Sequence, residues 1–154
     1  MVDVHSKKIR SKNMAAIKGA DTKPEIWLRR RLHALGYRYR LHPKNLPGKP
    51  DIVLPKYSAV IFINGCFWHM HGCHLGQLPK SRKKWWSDKL GKNVLRDFSN
   101  HDKLRELGWR VAVVWECAIS GKTRQNEGDL IGEINRWMGA EEPFLELSGG
   151  LNEE

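Results

Sequence analysis

Apolar positions along this chain fall into alternating helical and extended runs. Leu28, Leu32 and Leu35 recur at four- and three-residue spacing, which sets them on one face of a helix. Thr22-Lys23-Pro24-Glu25 reads as its capping-box start: the Thr22 hydroxyl and the Glu25 carboxylate satisfy early donors, and Pro24 has no donor to lose. Gly36 suits a left-handed stop after Leu35. From Tyr37 to Leu41, aromatic and aliphatic residues alternate with arginine, the pattern of a half-exposed strand. Residues 43–50 are too rich in Pro and Gly for regular structure and deliver Asp51 to the mouth of Ile52-Val53-Leu54. After a turn at 55–57 comes Val60-Ile61-Phe62-Ile63, a continuous apolar run, so the pair reads as a hairpin whose second strand is buried on both faces.

Farther on, Val94, Phe98, His101, Leu104 and Leu107 keep helical period up to Gly108, and Trp109 to Trp115 is another buried strand. Leu130, Ile131, Ile134, Trp137 and Met138 mark a last helix. With 154 residues, no internal repeat and no long linker, the pattern predicts one α/β domain over 21–140. A basic arm over 1–20 precedes it, and an acidic, loosely held tail over 141–154 follows.

Charge narrows the class of partner. Lys and Arg number 27 against 17 Asp and Glu, a formal charge of +10, and the acids gather in the last third of the chain. Seven tryptophans accompany this excess, a combination that favours a nucleic acid over a membrane because no long apolar span is present. The arm contributes His5, Lys7, Lys8, Arg10, Lys12 and Lys18. Lys80, Arg82, Lys83, Lys84 and Lys89 surround Trp85-Trp86, cations with flat rings that suit phosphates and bases. One tryptophan of that pair is expected to be buried and the other exposed.

The densest chemistry lies in residues 64–74, where two cysteines and three histidines stand among Phe67 and Trp68. Zinc takes thiolate and imidazole ligands in a tetrahedron, four of them at a structural site. Cys66, His71 and Cys73 can come from this one loop, and Cys117, directly after an apolar strand, can return the fourth. His69 and His74 compete with His71 for the nitrogen position, and the histidines left over are free for other work. An odd cysteine and the absence of a signal peptide argue against a disulfide and for an intracellular chain.

Asp51 is the leading ligand for a second, hard cation of the kind that assists phosphodiester hydrolysis. The same hairpin brings the backbone carbonyl of Ile63 and the His69 imidazole toward it, and a histidine near neutrality suits proton transfer. The ordinary reading of Asp51 is a turn residue after Pro50, and that of Glu25 a helix cap.

Several segments together resemble one family: Arg10-Ser11-Lys12-Asn13-Met14, Pro47-Gly48-Lys49-Pro50-Asp51, Gly65-Cys66-Phe67-Trp68-His69, Gly91-Lys92-Asn93-Val94, Gly108-Trp109-Arg110-Val111 and Val114-Trp115-Glu116-Cys117-Ala118. Over about residues 3 to 138 in unbroken order the chain is similar to the Vsr family, the very-short-patch mismatch-repair endonucleases. The resemblance implies a type II restriction-endonuclease-like α/β core, a central mixed sheet flanked by helices with a structural zinc. The implied activity is nicking of the T-containing strand at T·G mismatches left by deamination of 5-methylcytosine. It implies magnesium on Asp51 and the Ile63 carbonyl, His69 as acid–base residue, Glu25 as a supporting carboxylate, and zinc on Cys66, His71, Cys73 and Cys117. It implies base-stack insertion by Phe67, Trp68 and Trp86, entry of Met14 from the opposite groove, and Lys89 and Asn93 near the mismatched bases.

The chain departs from the family where Ile63-Asn64 replaces Thr-His. Asn64 can hydrogen-bond a water but cannot take its proton, so metal binding is expected to survive with slower turnover. A monomer acting with mismatch-repair proteins in the cytoplasm, on nucleoid DNA, is the implied setting. Two other readings use the same residues: a zinc-stabilised DNA-binding module without catalysis, and a restriction-type nuclease acting on paired DNA.

Overall fold

The structure, a computed structural model, describes residues 21–150. The arm over 1–20, with Met14, lies outside the described residues, as do 151–154.

The first helix, α1, spans Lys23–Ala34. Thr22 caps it, its hydroxyl accepting from the Glu25 N–H at 3.4 Å. The return bond differs from the expected capping box: Glu25 Oε2 accepts from the Asp21 N–H at 2.8 Å, one residue earlier, because Asp21 takes a left-handed turn at φ 58°. Leu28 and Leu32 are fully buried, but Leu35 is exposed; it stands at the C-cap, past the last turn that faces the sheet. Gly36 stops the helix at φ 98° as its place required.

Five strands form one mixed sheet in the order β1-β2-β3-β4-β5. β1, Arg40–Leu41, is shorter than the sequence suggested. Its partner β2 offers only Ile52–Leu54, and the antiparallel register is Arg40 with Val53 and Leu41 with Ile52. Upstream, the Tyr37 and Tyr39 hydroxyls turn to Asn135 and to the Arg29 carbonyl on the helices. β2 and β3, Ala59–Asn64, make the expected hairpin through the 3-10 turn Pro55–Tyr57. β4, Arg110–Trp115, runs parallel to β3, with Asn64 opposite Trp115 at the shared end.

The fifth strand corrects the expectation of a loose tail. β5, Phe144–Leu147, pairs parallel with β4 from Val111–Phe144 to Val114–Leu147. Its alternating burial sends Leu145 and Leu147 into the core while Phe144 and Glu146 face out. Acidic flanks hid that short period-two pattern.

The sheet is covered on both faces, which explains the unbroken apolar runs of β3 and β4. Ala59, Ile61, Ala112 and Val114 pack with α1 and with α4, Glu127–Met138. Val60, Phe62, Val111 and Val113 pack with Leu104 of α2 and with Cys66 and Cys117. α2 is a single 24-residue helix, Lys83–Glu106, running through Gly91, where an added Cβ would meet nothing. Only Leu90, His101 and Leu104 of it are buried. Phe98 and Leu107, expected in the core from their spacing, are 64% and 63% exposed; α2 extends beyond the sheet, which covers one narrow stripe of it. For the same reason neither member of the tryptophan pair is buried: Trp85 is exposed and Trp86 half-buried. Trp115 and Trp137 are core residues, and Trp109 is half-buried against the α2 side. A four-residue helix, α3, Glu116–Ile119, follows β4 directly.

Candidate active site and metal centre

Both centres sit where β3 and β4 end together. The loop from Gly65 leaves one strand and α3 leaves the other, so residues far apart in sequence meet there.

The ligand atoms of Cys66, His71, Cys73 and Cys117 all lie within 4.8 Å of one another. The geometry chooses among the three histidines: His71 Nδ1 is 3.4 Å from Cys117 Sγ. The loop is held in this shape by its own backbone, His71 N–H to the Cys66 carbonyl at 2.8 Å and Cys73 N–H to the His71 carbonyl at 2.9 Å. Gly76 is required, since a Cβ there would lie 1.9 Å from the His71 carbonyl oxygen. The His71 ring stacks on Trp115 at 4.2 Å, and burial lowers its pKa, which keeps a lone pair available. Burial pushes the Cys66 and Cys117 thiols up. Partial compensation comes from backbone donors, the Cys117 N–H to Cys66 Sγ at 3.4 Å and the Gly149 N–H to Cys117 Sγ at 3.2 Å. Three sulfurs and one nitrogen at this spacing fit a tetrahedral borderline cation, whose charge would stabilise the thiolates that burial opposes.

The second centre gathers around Asp51. Its Oδ2 accepts from the Ile63 N–H at 2.7 Å, so the contact Ile63 makes with Asp51 is through its amide. Burial pushes the Asp51 carboxyl up to about 6; the Ile63 N–H opposes that, Glu25 adds to it, and His42 and His69 oppose it. Glu25 is buried. Its Oε1 touches His42 Nε2, and that nitrogen is 3.7 Å from Asp51 Oδ1. Glu25 Oε1 is a buried oxygen without a hydrogen bond. Arg29 Nη1 also stands 3.6 Å from that oxygen, and a buried carboxylate oxygen without a hydrogen bond, near a second carboxylate, is a donor that a hard divalent cation takes.

His69 is held separately, its Nδ1 2.5 Å from Asp97 Oδ2 of α2 and its N–H on the Gly65 carbonyl at 3.2 Å. Asn64 is buried at the end of β3. A cavity of about 220 Å³ beside them is lined by Asn64, His69, Asp97, His101 and Trp115 among others. Sequence reasoning missed His42 and Asp97. Asp97 carries a faint signal, four residues before His101 on a helix, but nothing in the sequence aims it at His69.

The rings form a cluster at the outer lip. Phe67 lies 5.1 Å from Trp68 and 5.4 Å from Trp86, centroid to centroid and edge-on, and Trp68 is 37% exposed. Lys89 Nζ stands 5.8 Å over Trp86, and the Asn93 amide donates to the Trp68 carbonyl at 3.1 Å. The structure therefore brings together all the described aromatic and polar residues that the resemblance placed near DNA.

A family model described as DNA mismatch endonuclease Vsr matches residues 2–75. The DNA mismatch endonuclease Vsr of Escherichia coli K12 is 45% identical over 138 residues, 90% of this chain and 88% of its own length. The chain belongs to the Vsr family. Two further relatives are nicking enzymes by name. Type II nicking enzyme V.XorIIP of Xanthomonas oryzae is 50% identical over 78% of this chain and 88% of its own, and V.NmeAIP of Neisseria meningitidis is 43% identical over 87% and 97%. The mixed sheet with helices on both faces is consistent with a Vsr protein, and no described helix is long and apolar enough to cross a membrane.

Proposed function

We propose that this Vsr-family chain is a DNA endonuclease that nicks the T-containing strand at a T·G mismatch, with Asp51 and His69 as its central catalytic residues. The observation that carries the reading is the juxtaposition at one end of the sheet of a carboxylate pair, Glu25 buried and Asp51 half-buried, an Asp97-held histidine and an aromatic cluster that reaches the surface. Relatives named as mismatch endonuclease and nicking enzymes support the reaction class.

Asp51, with Glu25 beside it, would hold a magnesium ion, with the Ile63 carbonyl as a further donor. A hard cation bound there neutralises phosphate charge and makes an adjacent water more acidic. His69 has Nδ1 engaged by Asp97, which leaves Nε2 as the nitrogen for proton transfer to or from the reacting oxygens. Asp97 orients that ring, as a carboxylate behind a histidine does. Asn64 can position a water by hydrogen bonding and leaves proton removal to His69. Cys66, His71, Cys73 and Cys117 would hold zinc as a closed structural site, fixing the loop that carries Phe67, Trp68 and His69. Phe67, Trp68 and Trp86 would replace base stacking where a wobble pair is pried apart, with Lys89 and Asn93 beside the opened step and Met14 acting from the arm.

A nicking assay on T·G and T·A duplexes in magnesium tests this. The parental chain should cut only the mismatch. Asp51→Ala should abolish cutting with mismatch binding largely kept, and His69→Ala should leave residual activity. Parental rates in either variant would remove that residue from the mechanism, and cutting of T·A would point to a restriction-type nuclease.

A further inference from the structure

His42 ends the extended segment of β1 with φ 47°, a left-handed conformation uncommon for a residue with a side chain. Its N–H donates to the Asp51 carbonyl at 3.2 Å, which fixes the residue against the chain that leads into β2. The imidazole is thereby set between two carboxylates from different elements. Glu25 Oε1 reaches it from α1, on a side chain only 2% exposed, and Asp51 Oδ1 stands 3.7 Å from the same nitrogen. Asp51 Oδ2 is already used by the Ile63 N–H, so Oδ1 is the oxygen that remains. A plain imidazole–carboxylate pair would satisfy both partners through a hydrogen bond. Glu25 Oε1 and His42 Nε2 meet as an ion pair, with Arg29 Nη1 3.6 Å from the same oxygen, but in a geometry that makes no hydrogen bond. The Asp21 carboxylate lies within 4.8 Å of the Glu25 and His42 ligand atoms, and it meets Arg29 Nη1 at 2.6 Å.

Resting on the reading that Asp51 holds the catalytic cation, we propose that His42 Nε2 is a further ligand of that cation. The centre is then two carboxylates and one imidazole, Asp51, Glu25 and His42. A nitrogen donor is poorly matched to Mg2+ and well matched to borderline transition cations. This chain should therefore use Mn2+ or Co2+ more effectively than a centre built of oxygen donors alone. Nothing in the chemistry of phosphodiester hydrolysis calls for the nitrogen; its effect is on which cation is accepted.

The test uses the full chain with zinc retained and Mn2+ as probe. Pulsed electron paramagnetic resonance should show the 14N coupling of a directly bound imidazole in the parental protein and in His69→Ala, and no such coupling in His42→Gln. Mn2+ affinity should fall about tenfold or more in His42→Gln, and the ratio of nicking rate in Mn2+ to that in Mg2+ should fall with it. Mn2+ that is lost in Asp51→Ala yet shows no nitrogen coupling, or keeps the coupling in His42→Gln, overturns the role of His42 while leaving Asp51 as a ligand. Mn2+ binding that is absent, or indifferent to Asp51→Ala, overturns the cation reading and this inference together. Should His42→Gln fail to fold, the parental and His69→Ala spectra still decide: a coupling missing from the parent, or lost with His69, refutes the assignment.

Discussion

Asp51 carries its charge against its surroundings. Its carboxyl is raised from 3.8 to about 6 by burial, with Glu25 contributing. The native state therefore holds that proton more tightly than the unfolded chain does. Below about pH 4 both states are protonated and the raised value costs nothing, and stability falls as pH rises through 6 and the folded carboxyl ionises. Asp51→Asn keeps an oxygen for the Ile63 N–H and removes the charge. In magnesium-free buffer with zinc retained, it should be more stable than the parental chain above pH 7 by on the order of 3 kcal/mol. The advantage should vanish near pH 4. Urea unfolding across that range checks it; a constant offset would mean that something other than the charge separates the two proteins.

At the scale of elements, the loop after β3 and the strand β5 each combine folding with function. Phe67 and Trp68 follow a buried cysteine directly, yet Phe67 is half-buried and Trp68 exposed, their rings meeting Trp86 of α2 at the surface. Phe67→Ala with Trp68→Ala should keep the fold and the zinc while losing much of the preference for T·G over T·A, at about 1–3 kcal/mol for each ring removed from the stack. Melting and zinc content measured beside binding separate this from core damage, for which early unfolding with normal discrimination is the signature. β5 makes the opposite prediction. Ending the chain at Ala140 removes Leu145 and Leu147 from the core, leaves β4 as an edge, and deletes the Gly149 N–H that supports Cys117 Sγ. Two buried leucines alone are worth about 3–6 kcal/mol, a large share of a domain's stability. The shortened chain should lose cooperative unfolding and, if the Cys-His site holds zinc as proposed, that zinc with it, as circular dichroism and metal analysis would report; a truncated protein with parental melting would show that the strand is dispensable.

Across the whole molecule, a formal charge of +10 favours DNA before any base is read. Deleting residues 1–18 removes six Lys, Arg and His side chains. If the arm neutralises phosphates, the shortened chain should bind duplex more weakly and with a shallower dependence on salt, by roughly one unit of slope for each phosphate that the arm had neutralised. Affinity measured at several salt concentrations checks this, and an unchanged slope would show that the arm does not touch the backbone.

The local patterns in the sequence determined a good deal. Helical spacing and a capping threonine were enough for α1, the Pro-Gly stretch and two apolar runs for the β2–β3 hairpin, and the Cys-His spacing for a candidate ligand loop, because each depends on neighbours close in sequence. What depended on distant packing was not legible. The exposed side of α2 follows from how little of the helix the sheet covers, and β5 follows from a free edge on β4 that four residues of alternating burial could fill. That His71, rather than His69 or His74, stands with the three cysteines follows from where β4 delivers Cys117. Asp97 and His42 became candidate functional residues only through contacts across 28 residues to His69 and 17 to Glu25. Periodicity reports which face of an element is apolar, but only the tertiary fold decides which polar groups from different elements share one buried point.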